Sequence, residues 1–217
     1  MAKENQSRSP LSSERVLREA VAYADENGID SLSMRRLGER LGVEAMSLYN
    51  HVANKDAILD GMVEMVVAEI DLPAAGAPWK AAMRDRAISA HAALVRHPWS
   101  SALIVARVNV GPSMLRYVES TLASLRSAGF SMEMVDHAWN AMDSYIYGFT
   151  LQELNFPFQP EEYSDAAEEY LPQLPADRYP NLIELSGLVA SGEYDGLHQF
   201  EFGFDLLLDG LEKSLRV

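Results

Sequence analysis

Met46, Ser47, Tyr49 and Asn50 fall on one side of the segment 33–52 once it is wound at about 100° per residue, and that side is small, polar and aromatic. A surface of that kind can give hydrogen bonds and apolar contacts to base edges and suits a DNA major groove. The opposite side carries Leu48 and Val52, four apart and directed inward. Just upstream, Leu37 and Leu41 repeat the spacing and give a first short helix one buried face. Ser33 is an N-cap residue, Gly42 supplies the positive φ that ends the first helix, and Val43 follows as the apolar contact after the turn. Two short helices around a glycine turn are the helix-turn-helix layout; a surface helical hairpin with no ligand has the same periodicity.

Side chains for covalent or metal chemistry are not arranged to work together. The five histidines are scattered, and no His-Glu-x-x-His, glycine-rich phosphate loop or Gly-x-Ser-x-Gly elbow occurs. His91 and His97 are six apart, a poor spacing for one helical face, and the adjacent Glu161 and Glu162 diverge. With no cysteine there is no disulfide framework, thiolate site or sulfur nucleophile. The chain is therefore read as a non-enzyme with no cofactor and no metal.

The elements that position the helix-turn-helix follow from caps and periodicity. Ser12 or Ser13 starts a first long helix with Val16, Leu17, Ala20, Val21 and Ala24 on its apolar face, ended at Asn27-Gly28. Asn54 caps a fourth helix to about residue 70, with Ile58, Leu59, Met62, Met65 and Val66 as its buried stripe. The Ala/Gly/Pro-rich stretch 73–78 marks a boundary. Beyond it, helices are predicted over 79–96, 100–108, 112–127 and 131–155. A short acidic helix between Pro160 and Pro172 and two more over 181–191 and 195–214 complete the chain. No alternating strand pattern of useful length appears. The expected fold is all-α: a polar arm over 1–10, a helix-turn-helix domain over 11–72 and a larger helical body over 73–217.

At 217 residues and 48% hydrophobic content the chain can bury a sizeable core, and no apolar run reaches the ~20 residues that span a bilayer. No signal segment opens it, so a cytoplasmic location without membrane is expected. The net charge of −14 seems to oppose DNA binding, yet residues 1–60 hold eight Lys/Arg against ten Asp/Glu, while 61–217 hold ten against twenty-two. The acid belongs to the body, where it would repel DNA that strays beyond the site and lower non-specific affinity.

Two late helices carry stripes of small residues. Ala138, Ala141, Tyr145, Gly148 and Gln152 recur at spacings of three and four, as do Phe200, Gly203, Leu207 and Gly210. Two such helices from each subunit could form a four-helix homodimer interface, or both stripes could face the chain's own core. Trp99, Tyr117, His137, Asn140 and Tyr145 are candidates to line a cavity for a small apolar or aromatic ligand; each alone is also an ordinary core residue.

Several spaced blocks resemble one family. Leu-Ser-Met-Arg-Arg-Leu at 32–37, Leu-Gly-Val at 41–43, Ser-Leu-Tyr-Asn-His-Val at 47–52 and Asn-Lys-Asp-Ala-Ile-Leu at 54–59 resemble the DNA-binding domain of the TetR family of bacterial repressors. His97-Pro98-Trp99, Gly111-Pro112, Leu-Arg-Ser-Ala-Gly at 125–129 and Tyr147-Gly148-Phe149 look like the C-terminal domain of tetracycline repressor and its relatives. The resemblance implies a ligand-responsive repressor that binds a palindromic double-stranded operator as a dimer. A helical ligand-binding or protein-interaction module without DNA activity is the alternative.

By the same resemblance Arg35 reaches a base edge, Ser47, Tyr49 and Lys55 contact phosphates, Ser33 adds a phosphate hydrogen bond, and Asn50 and His51 touch bases or sugars. Ala45 and Met46 stand where tetracycline repressor has Gln and Pro, so they offer thymine methyls an apolar contact and imply a different operator. Arg36 and Arg40 are expected to be salt-bridge partners. In the pocket, Asp71, Arg86 and Ala90 replace a His, an Asn and a Phe, which makes tetracycline an unexpected ligand.

Overall fold

A computed structural model describes residues 10–74, 76–159 and 162–215 and contains, among them, eleven α-helices and no strand. The arm expected over 1–10 lies, apart from Pro10, outside the described residues. Helix α1 (Ser13–Asn27) is capped by Ser12, whose hydroxyl accepts from the Arg15 amide at 3.2 Å, and it ends at Gly28 with φ 77°. A 3-10 turn, Ile29–Ser31, follows, too short for any periodicity to reveal. Helix α2 (Met34–Leu41) is capped by Ser33, which accepts from the Arg36 amide at 3.3 Å. Gly42 closes it in the left-handed region at φ 70°, and its N–H donates to Glu39 at 3.2 Å.

Helix α3 (Ala45–Leu48) is shorter than the pattern to Val52 predicts. The chain tightens instead, with the amides of Asn50 and His51 bonded three residues back, because it must become extended by Asn54 (φ −166°). There the Asn54 side chain accepts from the Ala57 amide at 2.8 Å and starts α4 (Lys55–Ala68). The last turn of α4 tightens in the same way, which ends the helix two residues early. Its fully buried face is Ile58, Met62, Val63, Val66 and Val67, while Leu59 and Met65 are only partly covered.

The body contains α5 (Trp79–Arg96), α6 (Ser100–Ala106), α7 (Pro112–Ser127), α8 (Met132–Leu154), α9 (Tyr163–Tyr170), α10 (Pro180–Ala190) and α11 (Phe200–Ser214). α5 packs on α8, α11 and α7, and α8 packs on α7 and α11, which encloses the core. α9 and α10 pack chiefly on each other. The last helix starts five residues later than its pattern suggests, since Asp195 turns back on the Leu197 amide at 2.9 Å and Gly196 is left-handed at φ 72°. α6 stops at Ala106, where Arg107 turns extended and reaches α4. No helix among the described residues is long and apolar enough to cross a membrane.

Candidate functional site

The helix-turn-helix is built on an apolar floor. Leu37 and Leu41 of α2, Leu48 of α3 and Val52 join Val16, Ala20 and Ala24 of α1 and Ile58 and Met62 of α4 in one core. Gly38, inside α2, is where the start of α3 crosses: a Cβ there would lie 2.9 Å from the Val43 carbonyl and 3.1 Å from the Ala45 amide. Its place amid an apolar helix face was the one sequence signal for that crossing. The Ser13 hydroxyl donates to the His51 carbonyl at 2.6 Å and ties α1 to the end of the reading segment.

Above this floor the expected DNA contacts are presented together. Arg35, Met46, Tyr49, Asn50 and Lys55 are exposed, with Met46 at 74%; Ser33, Ala45, Ser47 and His51 are half-buried around them. Arg35 lies 3.8 Å from Glu39, an exposed i,i+4 pair that holds it weakly. Arg40 is committed elsewhere, bonded to Glu26 at 2.5 and 2.8 Å and to Glu19, and these bonds push its pKa up. Arg36 forms no salt bridge among the described residues; it donates to the Ser31 carbonyl at 2.8 Å.

Polar contacts join this head to the body. Asp25 of α1 accepts from the Trp99 indole at 2.7 Å and lies 2.8 Å from His97 Nδ1, while Glu69 lies 3.2 Å from His97 Nε2. Glu64 of α4 accepts from the Ser113 and Met114 amides at 2.7 and 3.1 Å and so caps α7 from the head's side. Arg107 donates to Asp60 at 2.7 Å and to Asp56 at 3.3 Å.

Inside the body, Arg86 is 1% exposed. It donates to Asp143 at 2.5 Å and stacks over Tyr117 at 4.4 Å, and Trp139 donates to the other Asp143 oxygen at 2.7 Å. Burial works against its charge, but Tyr117, Asp143 and Tyr147 together raise its pKa, and burial pushes both tyrosines up. On the other side of α8, a cleft of about 650 Å³ is walled by Tyr145, Phe149, Tyr194, His198 and Phe202.

The structure does not bring the five candidate ligand residues to one place. Trp99 belongs to the head–body joint, and Tyr117 lies under Arg86. Tyr145 walls the cleft and donates to the Phe200 carbonyl at 3.0 Å. His137 and Asn140 share a face, as their spacing requires, but it is an exposed face, where Asn140 bonds back to Asp136. Arg86 with Asp143 is the pair that sequence pattern undervalued; its signal was a charge on the alanine-rich stripe of Ala82, Ala90 and Ala93.

The two small-residue stripes divide likewise. Ala141, Gly148, Gln152 and Gly210 are exposed and Leu207 is half-buried. Ala138 is 0% and Phe200 5% exposed within their own chain, so they fill its core and present no surface to a partner. Gly203 is half-buried because the Tyr145 hydroxyl lies against it, where any Cβ would collide.

A reading head on a buried floor, coupled to a helical body whose apolar core holds one buried Arg86–Asp143 pair, has the layout of a helix-turn-helix regulator. Residues 16–62 match the family described as bacterial regulatory proteins of the tetR family, and residues 72–215 match the tetracyclin repressor-like C-terminal domain. The chain belongs to the TetR family. It is 33% identical over 214 residues to an HTH-type transcriptional regulator of Saccharopolyspora erythraea, covering 96% of this chain and 88% of that one. It is 31% identical to the class D tetracycline repressor of Escherichia coli, covering 94% and 91%. The TetR family protein ActR of Streptomyces coelicolor, solved with actinorhodin, superposes with a TM-score of 0.79 at 28% identity, covering 95% and 99%.

Proposed function

We propose that this protein is a cytoplasmic, ligand-responsive transcriptional repressor that acts by binding, without turnover. It holds a palindromic operator as a homodimer, one reading head per half-site, and lets go when a small molecule enters the body. One observation carries the reading: Arg35, Met46, Tyr49, Asn50 and Lys55 stand exposed on a helix-turn-helix whose Leu37, Leu41, Leu48 and Val52 are committed to a core. Arg35 suits a base edge, since a guanidinium can pair with two guanine acceptors, while Ser33, Ser47, Tyr49 and Lys55 suit phosphates. Asn50 and His51 suit bases or sugars, and Ala45 and Met46 suit thymine methyls. On the body, Ala141, Gly148 and Gln152 of α8 with Leu207 and Gly210 of α11 form the dimer face.

Release follows from the joint. α7 covers the buried Arg86 cluster and has its first turn held by Glu64 of α4, so a ligand that displaces α7 pulls on the helix that carries the head. The test is selection of bound fragments from genomic DNA at low salt. Enrichment of a palindromic site is the expected result; no enrichment of any fragment overturns the reading.

A further inference from the structure

The cleft between α8, the 193–199 loop and α11 is walled by rings and charged with one sign. Tyr145 and Phe149 of α8, with ring centroids 5.7 Å apart, share its lining with Tyr194 of the loop and Phe202 of α11. Both tyrosines donate their O–H to backbone carbonyls, Tyr145 to Phe200 at 3.0 Å and Tyr194 to Leu197 at 3.3 Å. That fixes the rings and leaves aromatic surface, not a free donor, to meet a ligand. Phe202 is 67% exposed, a large ring that its own chain does not cover. Glu193 and Asp195 also line the cleft, and no Lys or Arg does. One Asp195 oxygen accepts from the Leu197 amide at 2.9 Å, while Glu193 has no hydrogen-bond or ion-pair partner among the described residues. Burial and, after it, the Glu201 charge push the Tyr145 phenol up, so negative potential reaches the wall itself. Ring faces carry the negative part of the aromatic quadrupole, so rings and carboxylates together attract a cation and repel an anion. The cation is not a metal ion, because no group of three side chains able to hold one occurs among the described residues. The volume of about 650 Å³ is instead that of a pocket for a drug-sized organic molecule.

We propose that this cleft is a binding site for an amphiphilic organic cation, a quaternary or protonated tertiary amine carried on an aromatic body. The ammonium head lies among the ring faces beside Glu193 and Asp195, and the apolar body gains by leaving water against the same rings. The cleft opens on the surface, so the ligand enters without parting any helices. The site goes beyond the repressor reading and does not depend on it: failure of the fragment selection leaves the cleft's assignment standing, and failure of the probes below leaves the repressor standing.

Three naphthalenes of similar shape test this: naphthylmethyl-trimethylammonium, its uncharged tert-butyl isostere neopentylnaphthalene, and naphthylacetate. They are titrated into the full-length protein without DNA by fluorescence and calorimetry at pH 8, above the ordinary range of imidazole protonation. The ammonium is expected to bind about tenfold or more tighter than the isostere, the range for a cation among several ring faces, and the acetate weakest. Glu193→Gln combined with Asp195→Asn, which keeps an acceptor for the Leu197 amide, should remove much of that advantage and leave the isostere's affinity unchanged. Phe202→Leu, which keeps apolar bulk without the ring face, should cost the ammonium more than the isostere. Both variants change exposed side chains and leave the core as it is. Equal affinity of ammonium and isostere, tighter binding of the acetate, or an advantage that survives both variants overturns the proposal. So does the absence of binding by any probe below about 1 mM, the result expected if a second copy of the chain covers the cleft.

Discussion

Arg35 and Lys55 are both exposed cations on the reading head, yet they are proposed for different work, and the difference is measurable. Lys55 opens α4 just after its Asn54 cap, where it can face a phosphate. Lys55→Ala should weaken operator and random DNA alike and lower the slope of log affinity against log salt by about 1. Arg35→Ala should cost about 1–3 kcal/mol at the operator and relax its sequence preference. Equal losses on both DNAs for Arg35→Ala would remove it from base reading. In the body, His91 lies parallel to Phe200 at 4.3 Å, with Glu153 3.1 Å from Nε2. Burial holds its pKa below the ordinary value of about 6.5, against the upward pull of Glu153 and Glu201. Between those two values the unfolded chain binds more protons than the folded one, so stability is full above about pH 6.5 and is lost as pH falls below it. The melting temperature should drop on acidification, and His91→Gln, which can still bond Thr150, should drop less. An unchanged drop in that variant clears His91. The residues that sequence revealed best, Ser33, Gly42 and Asn54, work through neighbours three or four positions away. Arg86 and Asp143 are fifty-seven apart, and no local pattern joins them.

At the scale of elements, α8 shows what periodicity can and cannot say. Val135, Ala138, Met142 and Ile146 form one stripe, and His137, Ala141, Gly148 and Gln152 form another; only packing shows that the first is core and the second exposed. The spacing of Ala138 fits the interface stripe as well as the core stripe, and its complete burial within the chain decides for the core. Helix bounds are more legible, since 79–96 and 112–127 are the observed bounds of α5 and α7, the second opened by Pro112 in its first turn. Gly148 tests the interface with little risk to the fold, because nothing lies within 4 Å of a Cβ placed there. Glutamate is a better helix former than glycine by roughly 0.5–1 kcal/mol, so Gly148→Glu should leave the subunit folded. Placed on a face that must approach its symmetry mate, the new charges would meet each other and bar the pairing. Light scattering at micromolar concentration should show a dimer for the wild type and a helical monomer for the variant. A dimeric Gly148→Glu would exclude this stripe.

For the whole molecule, the decisive question is whether head and body behave as one unit. The joint depends on pairings such as Asp25 with Trp99, seventy-four residues apart, and Glu64 with Ser113, forty-nine apart, so nothing local in the sequence could reveal it. Its energetics can be bounded. A side-chain cap on a helix contributes about 1 kcal/mol, and stranding a buried donor costs about 1–3 kcal/mol. Asp25→Ala strands the Trp99 indole and leaves His97, 4% exposed, without that acceptor; Glu64→Ala uncaps α7. Together these losses come to about 2–4 kcal/mol, a sizeable fraction of the 5–15 kcal/mol that holds a typical domain folded. They also act at the boundary and leave each core intact. Scanning calorimetry should therefore show one cooperative transition for the wild type and two for the double variant, with the small head melting first. Each single variant should lower the transition without splitting it, because the other contact still couples the halves. If the double variant melts as one unit, the apolar packing of α4 on α7 and α6 carries the coupling by itself, and the polar joint cannot be the path by which an occupied body moves the head.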